Sequence, residues 1–197
     1  MLIGVQGAVF GLLECPLDLS SIPGRLVNFV PSAVILALIA GLGEEPGWRG
    51  FALPRLQTRH ATVLATVLLG GVWAAWHLPL AFVDPRFPHG FTSAAPQILL
   101  ALLTMLTIFF YAFFYTWVYN ATRSVLLCML LHGSFNAAIG LLPASFEVLQ
   151  RGTYMALLVV QNVTLLGAVA ILIVASRGLL AYDAAPERGP DEQPAGG

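Results

Sequence analysis

The sequence predicts an all-α, polytopic transmembrane helical bundle of about six membrane segments, and three observations carry that expectation. Hydrophobic residues make up 58% of the chain and charged ones 10%, with a mean hydropathy of +0.83, whereas soluble domains are roughly half apolar and about one-quarter charged. The apolar residues recur in stretches near the ~20 residues that a helix needs to cross a bilayer. Clusters of Pro, Gly and Asp separate those stretches and supply turns.

Residues 1–13 are apolar but short, and they carry neither a basic leader nor a small-x-small cleavage site. They read as a short or truncated first helix rather than a signal peptide. The turn residues from Glu14-Cys15-Pro16 to Pro23-Gly24 lead into a second span, 26–43, which can continue through the polar residues after it. Residues 61–83, 97–119, 125–142 and 154–176 supply the remaining spans, because closed helical hydrogen bonding makes such apolar runs tolerable in lipid. The chain thus divides into an N-terminal segment and loop (1–25), a core (26–142), a final loop and helix (143–180) and a polar tail (181–197), with disorder expected from Ala184 onward. Arg49, Arg55 and Arg59 fall in the second connection and Arg123 in the fourth, which places both, and the tail from Arg177, in the cytoplasm of a multi-pass cell-membrane protein.

The net charge of -1 and the scattered Arg residues exclude an electrostatic reason to bind nucleic acid. Cys15 and Cys128 have no metal-ligand spacing and support no disulfide framework. Membrane lipid is the expected surrounding partner.

Ionisable groups inside spans are costly and mark function, so three polar groups stand out. The first is Glu44-Glu45-Pro46-Gly47-Trp48-Arg49. Glu45 and Arg49 can pair at i,i+4, leaving Glu44 to face the interior as a proton acceptor. Pro46-Gly47 permits a broken helix or a loop there, beside protein or water. The second group puts Trp73 and His77 on one face of an apolar helix, and a neutral imidazole can orient water, relay a proton or ligate a metal. The third puts His132 and Asn136 on one face, where both can donate hydrogen bonds to a developing oxyanion. Each group also has a packing role open to it: an interfacial salt bridge, an interhelical hydrogen bond, and a polar seam at Gly133-Ser134. His60 and His89 read as surface residues, and Gln161, Asn162 and Thr164 as polar glue in the last span. Counted along straight helices, Glu44 lies about 20 Å from the outer surface, His132 about 15 Å, and His77 and Asn136 about 9 Å. That spread is too wide for one site unless tilt or the Pro-Gly interruption closes it.

In order, Glu44-Glu45-x-x-x-Arg49, Trp73-x-x-x-His77 and His132-x-x-x-Asn136 resemble the motifs of the CPBP family, the CAAX proteases and bacteriocin-processing enzymes also called Abi. The resemblance covers roughly residues 30 to 142. It implies an all-helical intramembrane protease that hydrolyses a peptide bond in a membrane-associated substrate, a prenylated C-terminus or a leader peptide. Glu44 would be general base on a water shared with His77, His132 and Asn136 would stabilise the oxyanion, and Arg49 would position Glu45 or the bent segment. A Trp stands at position 73 where Phe is common in the family. Two chemistries follow: a divalent metal such as zinc on Glu44, His77 and His132, as in a metalloprotease, or metal-free water activation. The competing functions are a non-catalytic scaffold or transporter subunit that uses the same residues for packing, and a proton-coupled carrier.

Overall fold

The computed structural model describes residues 19–83, 93–141 and 151–183, and all the regular structure among them is helical. The helices are α1 (Ile22–Gln57), α2 (Thr62–His77), α3 (Leu80–Val83), α4 (Ala94–Thr122), α5 (Val125–Ala138) and α6 (Arg151–Ala175). By length and composition α1, α4 and residues Tyr154–Ala175 of α6 can each cross a membrane, while α2 and α5 are shorter apolar helices. The expected first segment, 1–13, and the tail from Ala184 lie outside the described residues, as does His89.

Of the two courses left open after residue 43, α1 takes the continuous one, and the placing of Arg49 in a connection is corrected: α1 runs on to Gln57 through two wide π-helical stretches, Ala37–Gly41 and Pro46–Ala52. The reason is visible in the burial pattern. Residues 33, 37, 41, 45, 49, 53 and 57 are all buried, a strict period of four, with half-buried residues one position before each. In an α-helix a period-four stripe drifts about 40° per step, so it would wind off the packed face within a few turns. The π turns close i→i+5 hydrogen bonds, hold more residues per turn and take back that drift. Glu45 and Arg49 therefore stay on the same buried face as Ala33 and Ala37.

Close backbone approach fixes that face against α5. A Cβ added to Gly133 would collide with the backbone of Ala33 and Ala37, and one added to Gly41 would come within 2.8 Å of the Met129 carbonyl. Small residues at a helix crossing are the usual means of close packing in lipid, and here they bring the Glu44-Glu45 turn level with His132. On the other side of the bundle α4 packs against α2 and α6 as well as α5. At the α2 crossing, a Cβ on Gly70 would meet the Ala112 methyl at 2.9 Å.

The expected span 61–83 is interrupted: α2 ends at His77 and resumes as the single turn of α3 after Pro79. Proline cannot donate the next helical hydrogen bond, so Trp73 and His77 occupy the last turns of α2. Between α4 and α5, Arg123 takes a left-handed conformation at φ 54° that reverses the chain. The segment after α6 folds back beneath this turn: Leu180 is fully buried, and its carbonyl accepts from Asn120 Nδ2 at 3.1 Å. Asn162 and Gln161 of α6 bond across to α4, Asn162 Nδ2 within reach of Leu103 O and Thr107 Oγ1 and Gln161 Nε2 donating to Tyr111 Oη, whereas Thr164 Oγ1 donates to Val160 O within α6.

Candidate active site

Adjacent carboxylates on α1 point into different surroundings. Glu45 is wholly buried and lies between two cations or potential cations. Its Oε1 accepts from His132 Nδ1 at 2.7 Å and from Arg49 Nη1 at 3.2 Å, while Oε2 stands 3.0 Å from Arg49 Nη1 as an ion contact without hydrogen-bond alignment. Arg49 is also 0% exposed, and its Nε and Nη2 have no hydrogen-bond partner among the described residues. Aromatic faces take their place: the guanidinium carbon sits 4.2 Å from the Trp73 ring centre and 4.3 Å from that of Tyr115. A desolvated cation between two π faces gains about 2 kcal/mol or more from such contacts, which offsets part of the cost of leaving those N–H groups unbonded.

Glu44 faces the open edge of the cluster. Its side chain is 20% exposed and that of His77 16%. Trp73 Nε1 donates to Glu44 Oε2 at 2.6 Å, and Glu44 Oε1 lies 3.6 Å from His77 Nε2. His77 Nδ1 is 2.9 Å from the Trp73 carbonyl oxygen. A carbonyl can only accept, so Nδ1 carries a proton. With the ring neutral, Nε2 presents a lone pair and one water can donate a hydrogen to it and to Glu44 Oε1; with the ring protonated, Nε2 and Glu44 form an ion contact.

The structure thus brings Glu44, Glu45, Arg49, His77 and His132 into one cluster and closes the depth gap that straight helices leave. It separates Asn136 from them. His132 is buried against Glu45, whereas Asn136, one turn on, is exposed and makes no hydrogen bond among the described residues. One helical turn carries the side chain about 6 Å along the axis and some 40° around it, which is enough to leave the α1 crossing. Among the described residues no group of three His, Cys, Asp or Glu side chains is arranged to hold a metal ion, since His132 Nδ1 turns to Glu45 while His77 turns to Glu44.

The sequence marks Trp73 only by its place one turn before His77 and gives Tyr115 no place. Trp73 is the hub of the cluster: indole N–H on Glu44, ring face on Arg49, carbonyl on His77, ring edge toward His132 at 6.0 Å. The signal for Trp73 was its i−4 relation to His77; nothing marked Tyr115 within the aromatic run of α4.

With this geometry in place, the family model described as type II CAAX prenyl endopeptidase Rce1-like matches residues 26–138, more than half of the chain and every residue of the cluster. The chain belongs to the Rce1-like family. Its motifs are those of the CPBP group, as the sequence led one to expect. A similar protein to this Rce1-like chain is CAAX prenyl protease 2 of Methanococcus maripaludis, 42% identical over 62 residues. That match takes in 32% of the chain and 22% of the archaeal protein, so the chain aligns with about a fifth of that relative's length. No solved structure matches the chain.

Proposed function

We propose that the protein is an intramembrane endopeptidase that hydrolyses a peptide bond near the prenylated C-terminus of a membrane-associated substrate, and that it is a multi-pass protein of the cell membrane. The observation that carries this reading is the accessible Glu44–His77 pair, 3.6 Å apart, standing on a buried Glu45–Arg49–His132 base. A water donating to Glu44 and to His77 Nε2 directs its oxygen lone pairs outward, toward a substrate carbonyl. As the oxygen attacks, Glu44 takes the proton and the C–O bond forms while the carbonyl π electrons move to oxygen. Glu44 then returns the proton to the leaving amine as the C–N bond breaks. Trp73 holds Glu44 in the rotamer that faces His77. His132, with Nδ1 held by Glu45, has Nε2 left to donate to the oxyanion when it carries both protons, and Asn136 has an uncommitted amide on the same helix. Donors of this kind contribute about 3 kcal/mol each in water-excluded sites.

This route is metal-free, and the divergence of Glu44, His77 and His132 favours it over a three-ligand zinc centre. The test is cleavage by purified protein in lipid, with a panel of prenylated and leader peptides. Turnover that persists after chelation and disappears in E44Q supports the reading. Failure of the folded wild-type protein to cut any of them would overturn it and leave the packing role for these residues.

A further inference from the structure

Where the start of α1 meets the end of α5, Arg25, Asn28, Phe29, Ser32, Ala137 and Gly140 line an open pocket. It shares no residue with the Glu44 cluster, and Arg25 is separated from Glu44 by roughly 28 Å of helix. Arg25 and Gly140 both fall outside the family-matched interval. Arg25 is held in place: Nε donates to Ser21 Oγ at 2.8 Å and Nη1 to the Gly140 carbonyl at 3.1 Å. Those bonds use two of the five guanidinium N–H groups and leave the others for a ligand. No carboxylate among the described residues pairs with Arg25, and the Asn28 amide and Ser32 hydroxyl make no hydrogen bond among those residues.

The surroundings of the pocket point to an amphiphile. At 36 residues, α1 extends about 54 Å, well beyond a hydrocarbon core of about 30 Å. Its first turn, which holds Arg25, therefore reaches the headgroup layer. Further along α1, Ile35, Ile39 and Leu42 are exposed at 55%, 68% and 54%. They follow Asn28 at spacings that keep to one side of a helix. The apolar strip below the pocket is thus about 20 Å long, enough to accompany an acyl chain through one leaflet. At the head of that strip stand a guanidinium fork, an amide and a hydroxyl, donors suited to phosphate oxygens. Basic pockets between membrane helices take phospholipid headgroups in the same way.

We propose that the Arg25 pocket binds the phosphate of one membrane phospholipid, with an acyl chain lying along the Ile35–Leu42 strip. The test is native mass spectrometry of the full-length protein, delipidated in mild detergent and titrated with phosphatidylglycerol or with diacylglycerol carrying the same chains. The first bound phosphatidylglycerol should be held about 10- to 100-fold more tightly than diacylglycerol, the range for a hydrogen-bonded charge. R25Q should bring phosphatidylglycerol down to the diacylglycerol level, and R25K, with charge but no fork, should fall between. R59Q, which removes an exposed charge near the other end of α1, should leave the first site unchanged. Because diacylglycerol alters the ligand and not the protein, misfolding of a variant cannot mimic the result.

Equal affinity of the wild-type protein for phosphatidylglycerol and diacylglycerol overturns the proposal. So does an equal loss in R25Q and R59Q, which would mean attraction to positive charge in general. Inorganic phosphate that displaces the first phosphatidylglycerol at comparable concentration would also overturn it and make the pocket a site for the free anion. No arm of the test needs cleavage, so its outcome stands apart from that of the endopeptidase reading.

Discussion

Glu44 and Glu45 are neighbours in the chain, yet one stands at an open edge and the other inside a closed ionic knot. Glu45, Arg49 and His132 are each no more than 5% exposed at the side chain and are bonded to one another. Glu44 and His77 keep 16 to 20% exposure and face each other across a gap that one water can bridge. The difference teaches that a buried charge network in this bundle acts as a foundation. It fixes the relation of α1 to α5 and leaves a second, less constrained pair at the open edge, where the proposed reaction needs it. Stability should therefore track the first group and turnover the second.

The strongest way to break this division is R49A. Removing one partner of a buried ion pair typically costs about 3 to 5 kcal/mol because a charge is left uncompensated. Thermal unfolding in detergent should show that loss, together with poor expression, and R49K should recover only part of it, since an ammonium cannot lie flat between Trp73 and Tyr115. An R49A protein with wild-type stability would dissolve the distinction. A smaller effect is expected from G133A. The added methyl meets the α1 backbone, and overpacking of this kind costs about 1 to 3 kcal/mol. Turnover should fall with stability, because wedging α1 from α5 pulls Glu45 off His132. A change of similar size is expected from W73F, which introduces the residue common in the family and keeps an aromatic side chain while deleting the N–H on Glu44. A hydrogen bond to a charged group contributes about 1.5 to 3 kcal/mol, so kcat should drop roughly 10-fold or more with little change in KM. A proportional change in both would mark Trp73 as packing alone.

Much of this was legible in the sequence, for identifiable reasons. Three helices long and apolar enough to cross a membrane stand where hydropathy placed spans, and the Glu45–Arg49 pair followed from i,i+4 spacing. The order of the three motifs pointed to the family. What was not legible depended on helix geometry that composition does not encode. The π turns of α1 keep a period-four stripe on one face, and without them Glu45 would rotate away from His132. Pro79 shortens α2, which puts His77 at a helix end. His132 and Asn136 share a face in projection, but the close crossing at Gly133 covers one and leaves the other exposed. Trp73 was named for its position before His77, and only the packed structure shows its indole N–H meeting Glu44.

The most direct measurement sets E44Q beside E45Q in the same lipid, reading unfolding temperature and peptide turnover for both. The account predicts that E44Q keeps the wild-type unfolding temperature and loses turnover by about 10²- to 10⁴-fold, the usual contribution of a general base. E45Q should unfold at a clearly lower temperature, with turnover falling as the folded fraction falls. Equal destabilisation by both, or an E44Q protein that still cleaves at the wild-type rate, would contradict it.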